Sequence, residues 1–180
     1  MKVMFKKANK KDYKRIKKLF ISAFPPEERP PFFILKSKAE KGKGDMLSIY
    51  DGEVFIGFVY IVCRLDTAYL FFFAIEADKR GCGYGSAVLV ELLKEYEGKR
   101  LFLAREQLDE NSDNYDERVR RHKFYLKNGF CDLPVKIKEG NVIYDVMGVG
   151  GSVTAEEYDL LITQWCGKFM RKFVDMRIIE

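Results

Sequence analysis

A glycine-rich stretch near the middle of the chain has the residue types of a phosphate-binding turn. It reads Arg80-Gly81-Cys82-Gly83-Tyr84-Gly85-Ser86, with glycine at every second position from 81 to 85. Glycine has no Cβ, so the backbone here can come close to a ligand. Apolar residues at helical spacing follow directly, and the first N–H groups of a helix lack intrahelical partners and lie at its positive end. The stretch is therefore predicted to hold a phosphate or diphosphate group on backbone amides.

Two common nucleotide-binding patterns do not fit this stretch. The Walker loop needs a Lys-Ser/Thr pair at its end, and the dinucleotide loop needs a different glycine spacing. The residues instead resemble the acetyl-CoA loop of the GNAT N-acetyltransferases, R/Q-x-x-G-x-G/A, with Arg80 as its first residue and Ile75 closing the preceding strand.

A second resemblance to the same family lies later in the chain. Residues 120–130 match the helix end aromatic-Tyr-x-x-x-Gly-Phe, with Phe124, Tyr125, Gly129 and Phe130 at the key positions. The two motifs together are far more specific than either alone. The resemblance covers about residues 1–148 and implies a GNAT fold of the α/β (α+β) class. That fold has a mixed central sheet of about seven strands and four or more helices.

The resemblance also implies a reaction and a set of residues. The activity would be direct transfer of the acetyl group of acetyl-CoA to a primary amine, with no acyl-enzyme. Tyr125 would be the general acid that protonates the departing sulfur, and the N–H of Ile75 would polarise the thioester carbonyl. The residues implied to bind the cofactor are Phe73, Ala74 and Ile75 along the pantetheine arm, and Arg80, Gly81, Cys82, Gly83, Tyr84, Gly85 and Ser86 around the diphosphate.

The general base is open at this point. Many GNAT enzymes carry a glutamate on the strand after the loop helix, but the equivalent position here holds Ala104. Glu106, two residues on and facing the same side, is the first candidate. Glu27 or Glu28 acting through a water molecule is the second, and water alone is the third.

The segment from Phe24 to Phe32 is the candidate acceptor region. It holds four of the five prolines of the chain and the adjacent carboxylates of Glu27 and Glu28. One interpretation is a rigid surface connection. The other is a wall of the acceptor pocket in which either glutamate binds a cationic amine, because the segment between the first two helices borders that pocket in GNAT enzymes. The acceptor would then be a small-molecule or peptide amine.

Hydrophobic periodicity and the residues that start or end helices and turns predict the elements that position these residues. Asp51-Gly52 between two apolar runs predicts a hairpin, and Thr154 with Glu157 forms a capping-box pattern. A parallel crossover is predicted around the loop helix. The predicted strands span residues 1–8, 46–50, 54–64, 67–75, 100–104, 130–138 and 141–148, and the predicted helices span 9–24, 32–41, the run after Ser86, 115–128 and a final helix after Thr154.

Length and composition suit one domain over residues 1–180, with a core of about 1–148 and a C-terminal helical extension of about 152–180. That extension could pack on the sheet, cap the acceptor pocket or form a homodimer contact. The net charge of +5 includes a cluster of N-terminal lysines, for which a solvated helix face is favoured over a nucleic-acid surface.

Four scattered cysteines and the absence of a long apolar run predict a cytoplasmic protein without metal or membrane contact.

The alternative function is a non-catalytic acyl-CoA-binding or regulatory module on the same fold.

Overall fold

The computed structural model describes residues 1–172 and 174–179, apart from the side chain of Glu27. It confirms the mixed α/β fold, with eight strands and six helices in these ranges. The elements are β1 (Val3–Lys7), α1 (Asp12–Ala23), α2 (Phe32–Glu40), β2 (Asp45–Asp51), β3 (Val54–Arg64), β4 (Thr67–Ile75), α3 (Tyr84–Glu95), β5 (Arg100–Glu106), α4 (Tyr115–Lys127), β6 (Cys131–Glu139), β7 (Val142–Val149), α5 (Ala155–Cys166), α6 (Lys168–Arg171) and β8 (Met176–Ile179).

The chain divides into two compact units. The first contains Met1–Val62 and Leu70–Glu95, and the second contains Cys63–Tyr69 and Tyr96–Glu180. The strand order is β1-β2-β3-β4 in the first unit and β4-β5-β7-β6-β8 in the second. β4 is named in both because its first three residues belong to the second unit. Those three residues pair in parallel with Arg100–Phe102, as the helix between the two strands predicts.

The predicted hairpin is confirmed in the first unit, and side chains also form hydrogen bonds at the start of α1. The β2–β3 hairpin closes with Asp51 opposite Val54, and Gly52 takes a φ of +59° in the turn. At the start of α1, Asn9 accepts from the backbone N–H of Lys11 through its side chain at 2.8 Å, and its own N–H donates to Asp12 at 3.1 Å. This reciprocal arrangement satisfies donors that the helix start leaves without partners.

Aromatic packing holds α1 to the sheet of the first unit. Phe20 is 1% exposed, and its ring meets that of Phe72 edge-on, with centroids 5.0 Å apart. Phe24, just past the end of α1, contacts the same Phe72 ring at 5.0 Å. The chain therefore enters the proline-rich segment from a fixed point.

The C-terminal helix α5 packs within the second unit. Its capping box is present, since the N–H of Glu157 donates to the Thr154 hydroxyl at 3.2 Å and the N–H of Thr154 donates to the Glu157 carboxylate at 2.9 Å. Tyr158 is fully buried, 5.7 Å from the ring of Tyr69, and Tyr69 stacks on Phe102 at 4.8 Å.

The eighth strand was not predicted from the sequence. β8 pairs antiparallel with Lys136–Glu139 of β6, after α5 has ended at Gly167 with a φ of +89°. Four residues are too few to display the alternation that marks a strand, and the pairing depends on a distant partner. None of the helices in the described part of the chain is both long enough and apolar enough to span a membrane.

Candidate active site

The glycine-rich loop has the backbone conformation that its residue types predict. A short 3-10 turn, Ala77–Lys79, leads into it, and Gly81 and Gly83 then take φ values of +75° and +83°. Residues with a side chain rarely adopt positive φ values of this size, so both positions favour glycine. A Cβ placed on Gly81 would meet no atom within 4 Å, which leaves open space above the backbone.

The start of α3 presents several backbone donors to that space. The N–H of Ala87 donates to the carbonyl of Gly83 at 3.1 Å, and this is the first bond of the helical ladder. The N–H groups from Gly83 to Ser86 precede it and have no acceptor of their own in the helix. Because they lie at the positive end of α3, the arrangement suits an anionic group with several oxygens.

Arg80 ties the end of β4 to the loop. Its Nε donates to the carbonyl of Ile75 at 3.0 Å. The side chain is otherwise exposed, and its terminal nitrogens have no partner in the described ranges, so the positive charge is available to a ligand.

The backbone of β4 alternates between two edges. The N–H of Glu76 donates to Ile56 of β3 at 2.9 Å, and the carbonyl oxygen of Ala74 lies against Gly57 of the same strand. Successive residues of a strand direct their backbone polar groups to opposite edges, so those of Phe73 and Ile75 point away from β3. Of the three predicted β4 contacts to a cofactor, this edge offers Phe73 and Ile75, whereas Ala74 faces β3.

Tyr125 is the buried residue of α4 in the second unit. It is 9% exposed and packs between Phe124 and Phe130, with ring centroids 5.2 and 5.6 Å away. Burial raises its pKa to about 12, against a smaller lowering by the Arg121 guanidinium. Within the described part of the chain, no group accepts or donates a hydrogen bond at its hydroxyl. Among the described residues, the Tyr125 hydroxyl therefore does not serve to pair a buried carbonyl group.

The helix-end motif around Tyr125 has a structural explanation. Gly129 takes a φ of +88°, which ends α4, and the N–H of Phe130 then returns to the carbonyl of Tyr125 at 3.2 Å. The turn brings the Phe130 ring onto Tyr125. The glycine and the second aromatic residue thus fix the phenol.

Glu106, at the end of β5, is held by three donors. Its carboxylate lies 2.7 Å from Arg121 and 3.2 Å from Arg118, and it accepts a hydrogen bond from Asn114 at 3.0 Å. Only 16% of the side chain is exposed. To accept a proton as a base, this carboxylate must give up at least part of that ion-pair cluster.

A second ion-pair cluster lies beside Glu106 and was missed by the sequence analysis. Arg105 has a side chain that is only 5% exposed, with ion pairs to Asp132 at 3.1 Å and Asp145 at 3.2 Å. His122 contacts Asp132 at 2.9 Å. Burial opposes ionisation of Asp132, but hydrogen bonds from His122 and Arg105 outweigh it and lower its pKa. The available signal was an arginine directly after the apolar run of β5.

Comparison with protein families decides the family. Residues 42–132, just over half of the chain, match the model of the Acetyltransferase (GNAT) domain. The chain belongs to the GNAT acetyltransferase family. The matched residues include the glycine loop, Glu106 and Tyr125. No curated protein sequence matches this GNAT protein.

Solved structures share the GNAT fold. A GNAT-family protein from Bacteroides thetaiotaomicron is 23% identical, with a TM-score of 0.73 over 92% of this chain and 97% of that chain. An aminoglycoside 6'-N-acetyltransferase, solved with coenzyme A, is 16% identical, with a TM-score of 0.64 over 83% and 96%. Arabidopsis thaliana Naa50, in complex with a CoA–peptide bisubstrate analogue, is 17% identical, with a TM-score of 0.60 over 84% and 100%.

The proline-rich segment of this GNAT protein forms a short 3-10 turn, Pro26–Glu28, in the first unit. The side chain of Glu27, one of the two predicted acceptor-binding residues, lies outside the described residues. Glu28 is half-buried. Arg29 anchors the far end of the turn, since its Nη1 donates to the carbonyl of Ile21 in α1 at 3.0 Å. The roles of both glutamates stay predictions.

Proposed function

We propose that this protein is an acetyl-CoA-dependent N-acetyltransferase that acts as one GNAT domain over residues 1–180. It transfers the acetyl group directly to a primary amine within a ternary complex. The observation that carries the proposal is the set of backbone donors at the start of α3, reached through two glycines with positive φ. Family membership supports the reaction class, and the edge of β4 that points away from β3 and the buried phenol of Tyr125 support the details.

The cofactor is bound mainly through backbone groups. The amides of Gly81 to Ser86 receive the diphosphate, and Arg80 adds charge from the end of β4. Phe73 and Ile75 bond the pantetheine arm as a further strand would, through the edge that points away from β3. Open space above Gly81 fits this role, and coenzyme A is the ligand present in the aminoglycoside 6'-N-acetyltransferase of the same fold.

The reaction forms a C–N bond from the amine nitrogen and breaks the C–S bond of the thioester. The N–H of Ile75 donates to the carbonyl oxygen as it gains negative charge, an effect that typically contributes about 3 kcal/mol per donor. Tyr125 gives its proton to the departing sulfur. Its pKa of about 12 keeps the phenol protonated throughout the neutral range, so the general acid carries the proton that it must donate.

The amine must lose a proton before or during attack, because alkyl amines with a pKa of about 10 are charged at neutral pH. Glu106 is the proposed base, with Glu27 or Glu28 acting through water as the second route. The Glu106 carboxylate can release one of its hydrogen bonds to Asn114, Arg118 or Arg121 as it takes the proton.

The proposed acceptor is a cationic amine, and the support for it is charge. A cationic amine fits the carboxylates of the proline-rich segment, whether the amine belongs to a small molecule or to a peptide. Both kinds of amine are represented among the structural neighbours, as an aminoglycoside acetyltransferase and a protein solved with a CoA–peptide analogue.

The proposal is tested by following CoA release from acetyl-CoA with a panel of amines: polyamines, aminoglycosides and peptides with free N-termini. Amine-dependent release, with the acetyl group recovered on nitrogen, is the expected result. Tight acetyl-CoA binding with no release above the amine-free rate for any acceptor would favour the non-catalytic acyl-CoA-binding module instead.

A further inference from the structure

Tyr84, the first residue of α3, directs its side chain away from the helix to the β2–β3 hairpin. Its hydroxyl donates to Asp51 Oδ2 at 2.8 Å, across 33 positions of sequence. Tyr84 directly follows Gly83, whose φ of +83° sets the turn into the helix. The side-chain bond therefore holds the chain at the point where the amide donors begin.

Asp51 is itself fixed from three directions. It pairs with Val3 of β1 on one side and closes the hairpin against Val54 on the other. Its second oxygen, Oδ1, accepts from the backbone N–H of Lys2 at 2.8 Å. Both carboxylate oxygens are thus used, one for the N-terminal segment and one for the loop.

The N-terminal segment also reaches the loop by packing. A Cβ placed on Gly83 would lie 3.8 Å from the terminal methyl of Met1. The bonds through Asp51 and this contact connect β1, the hairpin turn and the start of α3.

Charge keeps the connection intact at neutral pH. The N–H of Lys2 and the hydroxyl of Tyr84 lower the pKa of Asp51, and the hydrogen bond to Asp51 raises the pKa of Tyr84. The carboxylate is therefore ionised and the phenol neutral, which is the state in which the hydroxyl donates to a charged acceptor. Such bonds are stronger than those between neutral groups.

We infer that Asp51 and Tyr84 are positioning residues that hold the glycine loop in its anion-binding conformation before the cofactor arrives. The inference rests on the proposed function. A loop ordered in advance does not lose conformational freedom on binding, so the affinity for the diphosphate rises without any new contact to it. Neither side chain needs to touch the cofactor.

The test compares Tyr84→Phe, which removes one hydroxyl, with Glu53→Gln as a matched control. Glu53 lies in the same hairpin turn, is 94% exposed and, among the described residues, forms its one ion pair with Lys6 at 3.8 Å. Amide hydrogen exchange over residues 81–86 is measured in the absence of cofactor, and CoA binding is measured by calorimetry. Asp51→Ala is the second variant, because it removes the acceptor instead of the donor.

For Tyr84→Phe, exchange in the loop should be about fivefold faster and CoA affinity about fivefold to tenfold weaker. Asp51→Ala should match or exceed this, the double variant should add little beyond Asp51→Ala, and Glu53→Gln should change neither quantity. Affinity for pantetheine, which lacks the diphosphate, should stay constant in all variants.

Two results overturn the inference in distinguishable ways. If the parent protein binds CoA and Tyr84→Phe leaves both exchange and affinity unaltered, the positioning role is wrong while the proposed function stands. If the parent protein does not bind CoA at all, the proposed function fails and the positioning role fails with it.

Discussion

The start of α3 and the end of α4 offer two different ways of building a functional group. In the proposed mechanism the groups that act at the start of α3 are backbone amides, and Gly81 and Gly83 contribute by having no side chain. At the end of α4 the group is a side chain, Tyr125, in an aromatic environment that raises its pKa to about 12. The first region should tolerate few substitutions because its positive φ values strain any residue with a Cβ, and the second should depend on one hydroxyl. Substitutions in the two regions should therefore affect different quantities.

The largest effect is expected for Tyr125→Phe. Removing the acid should lower kcat by about 10² to 10⁴-fold, with CoA affinity within a factor of about two of the parent, because general-acid catalysis typically contributes this much. Steady-state kinetics and calorimetry on the same preparations provide the measurement. Tyr115→Phe is the control, a half-buried tyrosine at the other end of the same helix. Equal turnover for Tyr125→Phe and Tyr115→Phe would remove Tyr125 from the mechanism.

Gly83→Val should give the opposite pattern. A β-branched residue at a φ of +83° strains the turn and moves the amides, so we expect CoA affinity to fall by about tenfold or more. Gly98→Val is the matched control, since Gly98 has a φ of +82° and, like Gly83, leaves room for a small side chain. Both variants should lose about 1–2 kcal/mol of stability from the strained backbone, but only Gly83→Val should lose affinity. Retained CoA affinity in a folded Gly83→Val protein contradicts the loop assignment.

Glu106→Gln should affect both the pH dependence of catalysis and the stability of the protein. If Glu106 is the base, the variant should flatten the rise of kcat/KM with pH. It should also lose about 1–3 kcal/mol of stability, because Arg118 and Arg121 would lose the charge of their partly buried partner. Glu117→Gln is the control: it removes a 60% exposed partner of the same Arg121, and such exposed pairs contribute under about 1 kcal/mol. A loss of stability with a parental pH profile would leave Glu106 a structural role and pass the base to Glu27, Glu28 or water.

The smallest expected effect is on the free energy of unfolding at alkaline pH. The pKa of Tyr125 is about 12 in the folded chain, against 10.0 ordinarily. Its contribution to stability is therefore complete below pH 10 and is lost as the pH rises towards 12, because only the unfolded chain releases the proton there. Urea unfolding at pH 9 and pH 11 should show the parent losing about 1 kcal/mol more than Tyr125→Phe. An identical loss in both proteins would mean that the phenol is not buried in solution.

The sequence predicted those features that depend on neighbouring residues. The hairpin at Asp51-Gly52, the capping box at Thr154 and the glycine turn into α3 each need only local backbone preferences, and the structure contains all three. The helix end at Gly129 belongs to the same class. Residue type at fixed spacing is enough for such features because a positive φ or a helix cap is satisfied within a few residues.

Pairings between distant residues were not predictable in this way. Periodicity shows which face of an element is buried, but it does not identify the partner. Arg105 with Asp132 and Asp145, Glu106 with Arg118 and Arg121, and Tyr84 with Asp51 all join different elements. The strand β8 is another case, since four residues acquire their structure from β6.

Binding of the diphosphate to the loop amides is tested most directly by titrating the ¹⁵N-labelled protein with coenzyme A and following the backbone amide resonances. We expect the largest shifts on Gly81 to Ser86, and we expect pantetheine, which lacks the diphosphate, to leave those resonances unmoved. Saturable CoA binding whose largest shifts lie elsewhere, with the loop amides unchanged, would contradict this binding mode.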